Sequence, residues 1–107
     1  MWVFLSNSFL SIVDKGDPSG ATLLVRARQR GDIEAVFPDA KVIEGGGTDY
    51  AFRARVDRER VAQAMADQVR GVTYTNFKAS VKDDARHDAY MDTWQAMMRL
   101  QEGKRRR

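Results

Sequence analysis

Thr22-Leu23-Leu24-Val25-Arg26-Ala27-Arg28, and further along Tyr50-Ala51-Phe52-Arg53-Ala54-Arg55-Val56, are the two runs whose reading decides the fold. Both alternate. In the first, Leu23, Val25 and Ala27 point one way and Thr22, Leu24, Arg26 and Arg28 the other. In the second, Tyr50, Phe52, Ala54 and Val56 point inward, with Arg53 and Arg55 outward. A period of two is the signature of a half-buried strand. Between them, Gly31-Asp32-Ile33-Glu34-Ala35-Val36-Phe37 reads as a short helix with Asp32 near its start and Pro38 at its stop, burying Ile33, Val36 and Phe37. Lys41-Val42-Ile43-Glu44 reads as a short strand, and Gly45-Gly46-Gly47-Thr48-Asp49 as a hairpin loop.

Working outward toward the start, Trp2 to Ser6 and Phe9 to Lys15 are aromatic and branched runs around a Ser-Asn-Ser break, which predicts a hairpin. Both faces of these runs are apolar, as in a central strand or one whose outer face is covered. Gly16-Asp17-Pro18-Ser19-Gly20 is a turn signal. Toward the other end, Asp57 is placed to cap a helix running to Gly71, with a stripe of Val61, Ala62, Met65, Ala66 and Val69. A short helix carrying Tyr74, Phe77 and Val81 follows. Asp83 or Asp84 then opens a last helix on which His87, Tyr90, Met91, Trp94, Met97 and Met98 share one face, ending at Gly103.

The predicted order is β-β-β-α-β-β-α-α-α. That is an α+β domain with an antiparallel sheet of about five strands and helices packed on it. The portion from Thr22 to Gly71 supplies five of the six elements of a split β-α-β, ferredoxin-like unit, and a strand of the N-terminal hairpin can replace the sixth, as in a permutation. We expect a single domain over 1–102 and a basic tail over 103–107. The segment Tyr74–Met98 reads as a lid that closes the core.

With 107 residues, 43% hydrophobic and 31% charged, the composition is that of one soluble globular domain. The net charge of +3 and pI near 9.5 come largely from Lys104-Arg105-Arg106-Arg107. Without those four, 14 positive charges face 15 negative ones, leaving −1. The body is therefore near neutral, which weakens the step from pI to nucleic-acid binding. There is no cysteine, so disulfides, thiolate nucleophiles and Cys-ligated zinc are excluded. The apolar start lacks the basic region and cleavage site of a signal peptide and is too short to span a membrane, so we expect a cytoplasmic protein with no membrane partner.

Six features are weighed as carriers of chemistry. The repeated Arg-Ala-Arg would set Arg26, Arg28, Arg53 and Arg55 on one sheet face, able to contact phosphates with Trp2 or Phe4 as a stacking surface. The plainer reading is solvent-facing arginines paired with Asp14, Glu34 or Glu44. His87 could act as acid or base with Asp84, but no Ser-His or Cys-His arrangement accompanies it. A half-buried imidazole hydrogen-bonded to a carbonyl or to Tyr74 is the plainer reading. Asp83, Asp84, His87 and Asp88 match no metal motif, and the acidic pair suits a helix N-terminus. The triple glycine lacks phosphate-loop spacing. The Tyr90/Trp94/Met97/Met98 stripe reads as core, with a partner-binding ridge as the alternative. Lys104, Arg105, Arg106 and Arg107 could bind nucleic acid or an acidic patch.

Taken together, Met1-Trp2-Val3-Phe4, Phe9-Leu10-Ser11-Ile12-Val13, Leu23-Leu24-Val25-Arg26-Ala27-Arg28, Thr48-Asp49-Tyr50, Arg53-Ala54, Asn76-Phe77-Lys78 and His87-Asp88-Ala89-Tyr90 with Trp94 resemble a widespread family of small bacterial proteins of unknown function. The resemblance implies a compact α+β domain with no known activity and assigns no catalytic residue. The triple glycine and the Lys-Arg-Arg-Arg ending are particular to this chain.

The leading functional expectation is a non-catalytic protein-binding module that regulates or inhibits a larger protein or ribonucleoprotein complex. By analogy of class, this is what small phage and mobile-element products such as anti-CRISPR proteins do. Nucleic-acid binding through the arginine face and tail is the alternative, and an enzyme using His87 the third. No cofactor or metal is expected.

Overall fold

The structure is a computed structural model that describes residues 1–45 and 49–105, apart from the side chains of residues 104 and 105. It contains strands β1 (Trp2–Leu5), β2 (Ser8–Val13) and β3 (Thr22–Ala27), helix α1 (Asp32–Val36), and strands β4 (Ile43–Glu44) and β5 (Phe52–Asp57). Helices α2 (Arg58–Arg70), α3 (Phe77–Ser80) and α4 (Asp84–Arg105) follow. The chain forms two compact units, Met1–Thr73 and Tyr74–Arg107.

In the first unit the five strands form one antiparallel sheet in the order β1-β2-β3-β5-β4. β5 inserts between β3 and β4, which α1 connects, so these elements form the split β-α-β predicted. β2, from the N-terminal hairpin, takes the place on the other side of β3, and β1 extends the edge.

The pairing fixes the faces. Ile12, Val25 and Ala54 stand side by side, as do Ala27 with Phe52 and Leu23 with Val56. These side chains build the core with Leu10, Ile33, Val36 and Phe37, and with Val61 and Ala64 of α2. The reverse face carries Trp2, Phe4 and Phe9, then Ser11, Val13 and Leu24, then Arg26, Arg53 and Arg55. Phe9 packs against Phe4 at 4.7 Å and edge-on to Trp2 at 6.3 Å between ring centres. The hairpin is thus apolar on both faces, as its sequence predicts.

α1 is seated by its first residue. Gly31 before it sits at φ 93°, a backbone region open to glycine, and Asp32 is buried. The Asp32 carboxylate accepts the backbone N–H of Phe9 at 3.0 Å, fastening the helix start to β2.

Several local expectations need correction. The strand predicted from Lys41 is only Ile43–Glu44. Asp57 stands at the N-cap of α2, but its side chain makes no capping bond, because the residue is still the last of β5. Gly71 closes α2 at φ −84°, without the left-handed turn expected of a C-cap glycine. The buried residues of α2 are Val61 and Ala64, with Met65 packed beside them. Ala62 and Val69 are exposed, so the buried stripe is shorter than its sequence spacing suggests. Gly103 does not end α4, which continues to Arg105. Glycine costs a helix interior only about 1 kcal/mol, and basic residues in a last turn offset that through the macrodipole.

The second unit is a helical hairpin. Asn76 caps α3 by accepting the N–H groups of Lys78 and Ala79. Asp83 caps α4 by accepting the N–H of Arg86 at 2.9 Å. Tyr74, Phe77 and Tyr90 form a run of rings at 5.6 and 5.7 Å, the last pair stacked.

Candidate functional site

The four strand arginines are the first surface to place. Arg26 and Arg53 stand directly opposite each other across β3 and β5, and Arg55 stands opposite Leu24. Two like charges in that position repel. The side chains separate by taking different partners. Arg26 donates to the Ser11 hydroxyl at 2.7 Å and lies over the Tyr50 ring at 4.6 Å. Arg53 donates to the Gly45 carbonyl at 2.7 Å. Arg28, just past the end of β3, lies over Tyr50 at 4.2 Å and donates to the Asp49 carbonyl at 3.1 Å. Arg55 donates to the Thr22 hydroxyl at 3.2 Å and the Lys15 carbonyl at 3.0 Å.

Two of the three expected carboxylate partners are taken elsewhere. Asp14 pairs with Arg58 at 2.7 Å, and Glu44 with Arg30 at 2.7 Å. The strand arginines act as staples between the sheet and its loops. Among the described residues, the contacts of Arg26, Arg28 and Arg55 are with neutral groups, so they leave the guanidinium charge unneutralised.

The turn beneath Arg55 is built on Asp17. Its carboxylate accepts the Thr22 hydroxyl and the Ser19 hydroxyl, each at 2.7 Å, and the N–H groups of Ser19 and Thr22, each at 3.0 Å. These bonds, the Thr22 hydroxyl foremost and then the Ser19 hydroxyl, hold the Asp17 carboxyl well below the usual carboxylate range. Thr22 therefore donates to Asp17 while accepting from Arg55.

His87 sits half-buried in the first turn of α4. Its Nδ1 lies 3.9 Å from Asp88, outside hydrogen-bond reach, and Asp88 rather than Asp84 is the carboxylate beside it. The expected hydrogen bond to a carbonyl or to Tyr74 is not formed among the described residues; Tyr74 packs on Phe77 instead. No group of three or more His, Asp or Glu gathers to hold a metal ion among the described residues.

The largest departure from expectation is the α4 stripe. Tyr90 is buried and Met91 half-buried, but Trp94, Met97 and Met98 are 45%, 58% and 39% exposed. At 100° per residue these three share one helix face, so they form an apolar ridge in solvent and not the core role expected for them. Lys78 reaches from α3 over the Trp94 ring, its Nζ 4.9 Å from the ring centre. Leu100 extends the exposed apolar surface. The helical spacing of these residues is plain in the sequence; their exposure has no sequence signal.

Of the basic end, Lys104 and Arg105 close the α4 backbone. Their side chains, and Arg106 and Arg107 entirely, lie outside the described residues, as does the Gly46-Gly47-Thr48 part of the glycine loop. No helix among the described residues is long and apolar enough to cross a membrane. No protein-family model, curated protein or solved structure matches the chain.

Proposed function

We propose that this chain is a non-catalytic protein-binding module that acts from the cytoplasm on a larger protein or ribonucleoprotein complex, with the α4 ridge as its anchor. The observation that carries this reading is the exposure of Trp94, Met97 and Met98 on one face of a long helix. Tryptophan is the side chain most often found at the energetic centre of an interface, and methionine adapts its shape to a partner. The class of regulator or inhibitor, including the anti-CRISPR kind, suits a small chain that presents such an anchor. Recovery of a specific protein partner from the native host by the wild-type chain, and its loss with Trp94→Ala and Met97→Glu, is the expected result. Equal recovery by both variants would overturn the assignment of the ridge.

A second reading rests on the unneutralised charge of Arg26, Arg28 and Arg55. A nucleic acid bound there would dissociate steeply with added salt. Replacement of these three by glutamine should then abolish binding to single-stranded DNA or RNA at low salt. No binding by the wild-type chain would remove this reading.

A further inference from the structure

The reverse face of the sheet, all within Met1–Thr73, sets an open aromatic side chain beside two uncompensated guanidinium groups. The strand register fixes this. Trp2 stands opposite Ser11, Ser11 opposite Arg26, and Arg26 opposite Arg53, so the four lie in one row across β1, β2, β3 and β5. With neighbouring strands about 4.8 Å apart, the backbones of Trp2 and Arg26 are separated by roughly 10 Å. Ser11 between them is fully buried, and its hydroxyl accepts from Arg26 at 2.7 Å, which keeps that guanidinium down on the sheet. Trp2 is 68% exposed, while Phe9 braces its ring edge-on and Phe4 braces Phe9 in turn. An indole braced by a second ring yet open to water is a platform for a flat ring.

Arg26 and Arg28 lie over one and the same Tyr50 ring, at 4.6 and 4.2 Å from its centre. Two like charges so close repel, and no carboxylate among the described residues pairs with either. Arg26 is also incompletely bonded, since its Nε is buried with no acceptor among the described residues. An anion that drew Arg26 toward it would relieve the repulsion and supply the acceptor that Arg26 lacks. Its chemistry must also suit Trp2. A carboxylate brings charge but no ring. A nucleic-acid strand brings both, phosphates for the arginines and an unpaired base for the indole. A duplex keeps its bases stacked inside, so the strand must be single.

We propose that this face binds single-stranded nucleic acid, with a base stacked on Trp2 and the adjoining phosphates on Arg26 and Arg28. The proposal rests on the arginine reading above and adds to it a base-binding residue on the edge strand. Stacking on an indole is open to every base, so the site has little sequence preference.

Titration of the full chain at low salt with oligodeoxyuridylate and oligouridylate, each about a dozen nucleotides long and within the span such sites cover, tests this. Binding of either strand is expected, and a preference between them tells DNA from RNA, since they differ only in the 2′-hydroxyl. In the Trp94→Phe chain Trp2 is the sole indole, and its emission should be quenched as the strand binds. Trp2→Ala should weaken binding roughly tenfold, within the range of one stacked base, with an unchanged circular dichroism spectrum. Arg28→Gln should instead lower the salt slope by about 0.7, the share of one phosphate contact on a single strand. Arg28 is exposed and lies past the end of β3, so its replacement leaves the sheet folded. An oligoglutamate of matched charge should bind at least roughly tenfold more weakly than the nucleic acid. Equal binding of the oligoglutamate would overturn the proposal and assign the face to an acidic polypeptide. If the strands bind and Arg28→Gln lowers the slope, but Trp2→Ala and the Trp2 emission show no effect, the base site fails and the arginine reading stands. If neither strand binds the wild-type chain, both fail.

Discussion

α2 and α4 both carry apolar residues at helical spacing, and they differ in where the buried part of that set goes: into the sheet core on α2, and against α3 on α4. On α2, Val61 and Ala64 enter the core with Met65 beside them, and the helix has run past the core by Val69. On α4, Tyr90 is buried against Phe77, and the stripe then continues into solvent through Trp94, Met97 and Met98. Spacing tells which side chains share a face; it does not tell what lies opposite that face. A buried stripe stabilises its own fold, whereas an exposed one is surface held ready for another molecule.

The strongest way to break this comparison is to truncate one residue from each kind of surface. Leu10, fully buried in β2, should cost about 2–5 kcal/mol as Leu10→Ala in urea unfolding. Met97→Ala, measured at low protein concentration, should stay within about 0.5 kcal/mol of wild type. Comparable losses at the two positions would mean that the α4 stripe is core after all.

Asp32 sharpens the contrast within the sheet unit, where closure depends on polar fastening as well as apolar contact. Asp32→Ala removes the acceptor of the Phe9 N–H and should destabilise by about 1–3 kcal/mol in the same assay, the range for a buried group left unsatisfied. A smaller effect follows from Gly16, which sits at φ +87°, where an added Cβ would lie 2.7 Å from the movable end of the Arg55 side chain. Gly16→Ala should cost about 1–2 kcal/mol by thermal unfolding, chiefly for the left-handed backbone.

The least of these effects should show only in acid. The folded pKa of Asp17 is depressed, so its contribution is complete above the unfolded value near pH 4 and is lost as pH falls toward the folded one. In that window the unfolded chain holds more protons than the folded one, so stability falls as pH falls. Asp17→Asn should flatten this part of the stability–pH profile and leave the sequence of effects at neutral pH otherwise in place. A profile as steep as wild type would show that the Asp17 turn is not intact in solution.

The sheet was readable because alternation in the two Arg-Ala-Arg runs is a local property of the backbone. The replacement of the missing strand by one from the N-terminal hairpin was readable too, since Phe9 to Val13 is apolar on both faces. The use of the arginines was not. Their partners are the carbonyls of Lys15, Gly45 and Asp49 and the hydroxyls of Ser11 and Thr22, and a carbonyl is present at every residue. The Asn76 cap was legible from its residue type and position but is absent from the reading of that stretch, which took Tyr74 as helical. The α4 ridge was legible in phase and illegible in exposure, because exposure belongs to the tertiary arrangement and not to the period.

The chain has two tryptophans, and the fold places one on each compact unit: Trp2 on the edge strand of the sheet and Trp94 on α4. Both indoles are substantially open to water. Each unit therefore carries its own intrinsic fluorophore. Trp2→Phe and Trp94→Phe would give two chains in which emission reports on one unit at a time, so that unfolding of the sheet and occupation of the helix can be followed separately without an added label.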